Sequence, residues 1–213
     1  MKFNFKNAVE AKETGKFLAP GIKNATFESI EYESGEGKNG EPYKALVLNI
    51  NIEGYGAYSQ KFFEPKSDER TANAWGGLNA SAQDNFTILV REIVETLNPE
   101  LLEDLADLDD VTFKELVSFL AKKTKTYTGK EFQVKLLPNT TTGYASIPIF
   151  IARITNKKEL AIGTWVFGQN LTLNDREKKA IDNAQNAHPT NMANNSVVEQ
   201  MKEEIDADSD LPF

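Results

Sequence analysis

The chain of 213 residues has no cysteine, which removes disulfides, thiolate nucleophiles and cysteine-held metals together. Its one histidine, His188, lies in the polar stretch "NAQNAHPTN", a poor setting for a catalytic base. Long apolar runs are missing as well: none approaches the ~20 residues of a membrane span. The opening "MKFNFKNAVEAKETGKFL" has charges where a signal peptide needs an apolar centre. A cytoplasmic protein with no membrane association is expected. The paired acids Asp109-Asp110, with Glu103 and Asp104, have no glycine-bearing calcium loop and no histidine partner. Interleaved with Leu101, Leu102, Leu105 and Leu108, they read as the solvated face of a helix. No catalytic constellation, metal site or cofactor motif emerges, so a non-enzymatic protein is expected.

Positive charge is scarce overall, with a formal net charge of −8, but it is unevenly spread. Residues 197–213 hold six acids and one lysine, and residues 80–120 hold ten acids and two bases. The remainder has 21 bases against 16 acids. An acidic end and an acidic helical block thus hide a mildly basic scaffold, and local fields decide partners.

Periodicity orders the elements. "IKNATFESIEYE" (22–33) alternates as a strand, and Asn39-Gly40 signals a reversal. "YKALVLNINIEGYGAYSQKFF" (43–63) reads as two strands, with Leu46, Leu48, Ile50 and Ile52 on one face. Phe86, Leu89, Val90, Ile93, Val94 and Leu97 then recur at helical spacing. Ser81 with Asp84 forms a capping box and Asn98-Pro99 ends the helix. A short acidic helix (100–108) follows, and Thr112 with Glu115 caps a third. Strands return at 130–138 and 145–155, with one more at 162–168, and Asn174 caps a last helix. Three strands, a helical segment and two strands match an OB-fold, a five-stranded Greek-key barrel with its helix between strands 3 and 4. A generic α+β sandwich is the alternative. The predicted organisation is an OB-like domain over 1–182 with a helical insertion at about 80–123. An Asn-rich linker (183–205) and a disordered acidic tip (206–213) complete it.

Several stretches bear on binding. "GEGKNG" (35–40) satisfies G-x-G-x-x-G, but Glu41-Pro42 and a strand follow where a dinucleotide site needs a helix N-terminus. It reads as a hairpin loop, with Lys38 beside a possible ligand face. "KKTKTYTGKEFQVK" (122–135) combines five lysines with two aromatics, the mixture that single-stranded nucleic acid requires for phosphates and stacked bases. A solvated helix end, with lysines favoured by the helix dipole, explains it equally. Phe132 shares parity with Val134 and Leu136 and belongs to the core, leaving Tyr127 for stacking. Trp75, between glycines and polar loop residues, is a loop anchor or a stacking platform. Tyr43, Tyr55 and Tyr58, with Lys44 and Lys61, belong to the strand 2–3 region that OB-folds present to oligonucleotides. Trp165 and Phe167 share a parity in an apolar segment and are both expected in the core. By charge and aromatic placement, the candidate DNA contacts are Lys44, Lys61, Trp75, Lys123, Lys125, Tyr127, Lys130 and Lys135.

Residues 206–213 read "DADSDLPF". Asp208-Ser209-Asp210-Leu211-Pro212-Phe213 resembles the acidic tip of bacterial and bacteriophage single-stranded DNA-binding proteins. Residues 80–123 and the short Asn-rich linker depart from the bacterial family, so the resemblance points to a divergent, phage-encoded member and transfers only the tip. It implies sequence-independent binding and protection of single-stranded DNA in replication, recombination and repair. It further implies that Asp206, Asp208, Asp210, Leu211, Pro212 and Phe213 dock on replication and recombination proteins. Phe213 would fill an apolar pocket while its carboxylate meets a cation at the rim. The alternatives are a purely solubilising tail and an OB-type protein-interaction adaptor that touches no DNA.

Overall fold

The computed structural model describes residues 18–74, 76–139, 144–148, 152–155 and 158–187. Its centre is a curled antiparallel sheet that forms a half-barrel. The strands are β1 (Gly21–Glu36), β2 (Pro42–Ile52), β3 (Gly56–Phe63), β4 (Glu131–Pro138) and β5 (Ala145–Ser146), in the spatial order β3-β2-β1-β4-β5. β1 is long enough to pair with both neighbours: Phe27 faces Ile50 on β2, and Ala25 faces Phe132 on β4. A register irregularity between Phe27 and Ser29 bends it where it passes from one partner to the other.

The alternation read from the sequence sets the two faces. Leu46, Leu48, Ile50 and Ile52 of β2 are buried inward, joined by Phe27 and Ile30 of β1 and by Phe132, Val134 and Leu136 of β4. Helix α1 (Ala82–Leu97) lies against this face and contributes Phe86, Leu89, Ile93, Val94 and Leu97 to the same core. Both ends of α1 are as expected: Ser81 and Asp84 make reciprocal capping bonds, and Asn98 is the C-cap. Helices α2 (Leu101–Ala106) and α3 (Phe113–Thr124) follow, α3 capped by Thr112 and Glu115. Asn174 and Glu177 bond reciprocally at the start of α4 (Asp175–Ala187).

The later strands differ from expectation. Instead of one strand over 145–155, β5 ends at Ser146 and a separate β6 (Ala152–Ile154) pairs with β7 (Leu160–Ile162) in a small sheet of their own. The stretch 162–168 also divides: Leu160–Ile162 ends before it turns, and β8 (Phe167–Gly168) adds to β4. Apolar runs alone cannot mark such breaks, since Ile147 and Pro148 after β5 and Val166 before β8 are apolar without being strand residues.

Among the described residues no ladder joins β3 to β5. A side chain spans the gap: Gln60 of β3 donates to the Ile147 carbonyl at 2.8 Å and accepts from the Ile147 amide at 2.9 Å. Its amide makes both hydrogen bonds that a neighbouring strand would supply. Residues 183–187 of the expected linker (183–205) instead continue α4 to Ala187; the rest of the linker and the tip (206–213) lie outside the described residues, as does the start of the chain.

Candidate nucleic-acid interface

Strand parity places a second set of side chains on the outer face of β1, β2 and β3. Cross-strand pairing aligns Glu33, Ala45 and Phe63 in one row, then Glu31, Val47 and Lys61, then Ser29, Asn49 and Ser59. From Tyr43 to Asn51 these rows span about 27 Å at ~3.4 Å per residue. The middle is a polar ladder: the Asn49 amide donates to Ser29 Oγ at 2.9 Å and to Glu31 at 3.1 Å.

At one end the face becomes aromatic and basic. Phe63 is 58% exposed although it is a phenyl ring at a strand end. Tyr43 meets it edge-on, with ring centroids 5.6 Å apart. Lys61 lies over the Tyr43 ring, 5.4 Å from its centroid. Both Lys61 and the Tyr43 hydroxyl donate to Glu33. Those two bonds hold the Glu33 carboxyl below its ordinary pKa, Lys61 being the larger cause, and Glu33 in turn raises that of Lys61.

These rings form one wall of a groove of about 950 Å³ between the β1–β2 loop and the segment after β3. The loop is tight, with the Gly40 amide bonded to Gly37 and Gly40 at φ +75°. That positive φ is available to glycine at little cost. Lys38, Lys44, Lys61 and Lys66 line the groove, against Glu36, Glu41 and Glu64. Lys44 pairs with Glu64 at 3.0 Å and Lys66 stands 3.9 Å from Glu41, both between exposed side chains. Exposed pairs of this kind contribute little, about 0–1 kcal/mol, so an incoming phosphate can compete for the lysines.

The candidate contacts from the sequence are dispersed. Lys44 and Lys61 belong to the groove. Trp75 lies outside the described residues, and the residues on either side of it close a hairpin, in which the Asn73 amide bonds to the Gly77 carbonyl at 2.9 Å. The basic stretch 122–135 does not form one surface. Lys123 bonds to Asp104 of α2 at 2.6 Å and lies over the Phe119 ring. Lys130 donates to the Leu97 carbonyl at the end of α1, where the helix dipole favours a cation. Tyr127 is half-buried, and its hydroxyl accepts from the Asn98 amide at 2.7 Å. Lys125 is exposed and has no ion-pair partner among the described residues.

Lys135 is corrected. It is 3% exposed, and its ammonium bonds to both carboxylate oxygens of Glu177. The residue is on the outward parity of β4, but α4 covers that part of the face, so it is a buried ion-pair partner. Trp165 is corrected in the other direction. It is 47% exposed, while Val166 and Phe167 beside it are buried. The backbone after Trp165 is held by Glu92 of α1, whose Oε1 accepts from the Val166 and Phe167 amides. That grip turns the two apolar side chains inward and leaves the indole outside.

Sequence reading missed Phe63 and Lys66 as groove residues. The sequence carries a signal for Phe63: it shares strand parity with Lys61, a residue of the expected ligand-facing region. Parity also separates the tyrosines, since Tyr58 points inward and donates to Gln60 at 2.6 Å, burial raising its pKa. No protein-family model matches this chain, and no curated protein matches it.

Proposed function

We propose that this protein binds single-stranded DNA without a strict sequence requirement and protects it in replication, recombination and repair. The observation that carries the reading is the groove where the Tyr43–Phe63 ring pair meets Lys38, Lys44, Lys61 and Lys66. Exposed rings offer stacking surface to any base, worth roughly 1–3 kcal/mol each, and lysines meet the backbone. An OB-like fold is the accompanying proposal. It is supported by the curled sheet, by helices between β3 and β4, and by the Gln60–Ile147 bridge that brings β3 to the end of β5. In an OB-fold the β1–β2 loop and the strand 2–3 face are the usual oligonucleotide surface.

A binding role rather than catalysis fits a chain without cysteine and with one histidine. Among the described residues no helix is long and apolar enough to cross a membrane. The tip, Asp206, Asp208, Asp210, Leu211, Pro212 and Phe213, enters the proposal through its resemblance alone, as the segment that recruits replication and recombination proteins of a bacterial host.

One observation favours the adaptor reading: the outer face also carries Glu31, Glu33, Glu53 and Glu131, which repel phosphate. Titration of the full chain with oligonucleotides at several salt concentrations separates the two. Salt-sensitive binding, weakened in Phe63→Ala and Lys61→Ala, supports the strand-binding reading. No binding at low salt leaves the adaptor.

A further inference from the structure

The acidic part of the outer face is a cavity with its own chemistry. Between β1, β2 and β4 lies a pocket of about 550 Å³ lined by Asn24, Asn51, Glu53, Glu131, Gln133 and Gln169. Pairing explains its composition: Thr26 of β1 stands between Asn51 of β2 and Glu131 of β4, and Asn24 faces Gln133 in the next row. Some of these groups are fixed. The Asn24 amide donates to Glu53 at 2.8 Å, Gln133 accepts from the Leu171 amide at 2.9 Å, and Gln169 donates to the Glu131 carbonyl at 3.0 Å. Others are free: among the described residues neither the Glu131 carboxylate nor the Asn51 amide has a side-chain partner. Gln169 also lines the neighbouring cavity of about 630 Å³, where the exposed Trp165 indole forms part of the wall.

Among the described residues no lysine or arginine lines the pocket, and Glu53 and Glu131 repel a phosphate there. Acceptor carboxylates and amides suit a neutral, planar group that donates hydrogen bonds. We infer that this pocket takes the edge of a nucleobase bearing an exocyclic amine. Glu53 and Glu131 accept from that amine, as carboxylates do from the amino group of cytosine. The inference rests on the strand-binding reading and adds to it: bases face the sheet, phosphates lie toward the loop lysines, and an amine-dependent preference is superimposed on general binding. Cytosine and thymine test the effect, because at the same ring position they carry an amine against a carbonyl, and oligo-dU controls for the C5-methyl group of thymine.

The test compares oligo-dC with oligo-dT of equal length on the full chain, at mildly alkaline pH where cytosine is unprotonated. The wild type is expected to bind oligo-dC about fivefold or more tightly than oligo-dT. In the double variant Glu53→Gln, Glu131→Gln, both affinities rise because repulsion is relieved, but the ratio falls toward one. A general electrostatic role would raise both affinities and leave the ratio unchanged. Equal binding of both strands by the wild type, or a ratio that survives in the double variant, overturns the inference while strand binding stands. If neither strand binds, the strand-binding reading fails, and titration with the uncharged nucleosides deoxycytidine and thymidine decides the pocket by itself. Selective deoxycytidine binding then supports a site for the free base edge, and equal binding or no binding of either overturns it.

Discussion

Lys135 Nζ lies 3.0 and 3.1 Å from the two carboxylate oxygens of Glu177, with both side chains almost wholly enclosed. The pair fastens α4 across β4, and Glu177 also accepts from the Asn174 amide at the start of the helix. Removing one partner leaves the other charge buried, which typically costs about 3–5 kcal/mol. Lys135→Ala is therefore expected to lower the urea midpoint strongly. Replacing both partners by apolar residues, as in Lys135→Met with Glu177→Leu, should recover much of that loss. A normal midpoint with weakened DNA binding in Lys135→Ala would instead make Lys135 a ligand contact.

The groove and the basic stretch should separate in binding assays. Phe63→Ala is expected to lose roughly 1–3 kcal/mol of oligonucleotide affinity, with little change in thermal midpoint because the ring is mostly exposed. Lys38→Ala with Lys66→Ala should flatten the salt dependence by about 1.4 in the log–log slope, as two phosphate contacts on a single strand would. Lys130→Ala should affect stability more than affinity, since its ammonium serves the end of α1. Oligonucleotide titration at three or more salt concentrations, alongside thermal melts, checks all three.

Two buried carboxyls set opposite pH slopes. Asp84 is held at about 2, below its ordinary 3.8, chiefly by the Arg70 guanidinium, which bonds to both its oxygens at 2.8 and 2.9 Å. A lowered value means stability present above pH 3.8 and lost as pH falls toward 2. Glu92, 0% exposed, is pushed up to about 7 by burial, against the opposing pull of the Phe167 and Val166 amides and of Lys135. Here the folded state holds the proton more tightly, so stability falls as pH rises from 4.5 to 7, by on the order of 3 kcal/mol. Thermal midpoints should peak near pH 4–5. In Glu92→Gln, which keeps an acceptor for the two amides, the decline between 4.5 and 7 should vanish. A wild-type midpoint that rises through that window contradicts the assignment.

Gln60 offers a test of closure. Gln60→Leu keeps the volume but leaves the Ile147 amide and carbonyl without partners, at about 1–3 kcal/mol for each buried group. Hydrogen exchange should accelerate at Ile147 and along β3, while the β1–β2 ladder stays protected. Unchanged exchange at both places would mean that the bridge contributes nothing to holding the half-barrel together.

Much of the fold was legible because its causes are local. The capping boxes at Ser81–Asp84 and Thr112–Glu115 need residues three apart, and the apolar stripe of α1 needs only the helical period. The alternation of Leu46, Leu48, Ile50 and Ile52 states which face is buried whatever covers it. What parity could not state is whether the opposite face meets water. Lys61 and Lys135 both point outward from their strands. The first stays in a groove, while α4, some forty residues further along the chain, closes over the second. The apolar neighbours of Trp165 predict a core position, but its exposure depends on a carboxylate of α1, more than seventy residues earlier, gripping the two amides that follow it. The basic stretch 122–135 looked like one patch because its lysines are close in sequence. A helix end, a turn and a strand send them to Asp104, to Leu97 and to Glu177. Sequence by itself therefore determined the elements, their caps and their buried faces, since these follow from spacing. Only the tertiary structure decided which outward side chains remain free to bind, because burial of a charge depends on what distant segments bring over it.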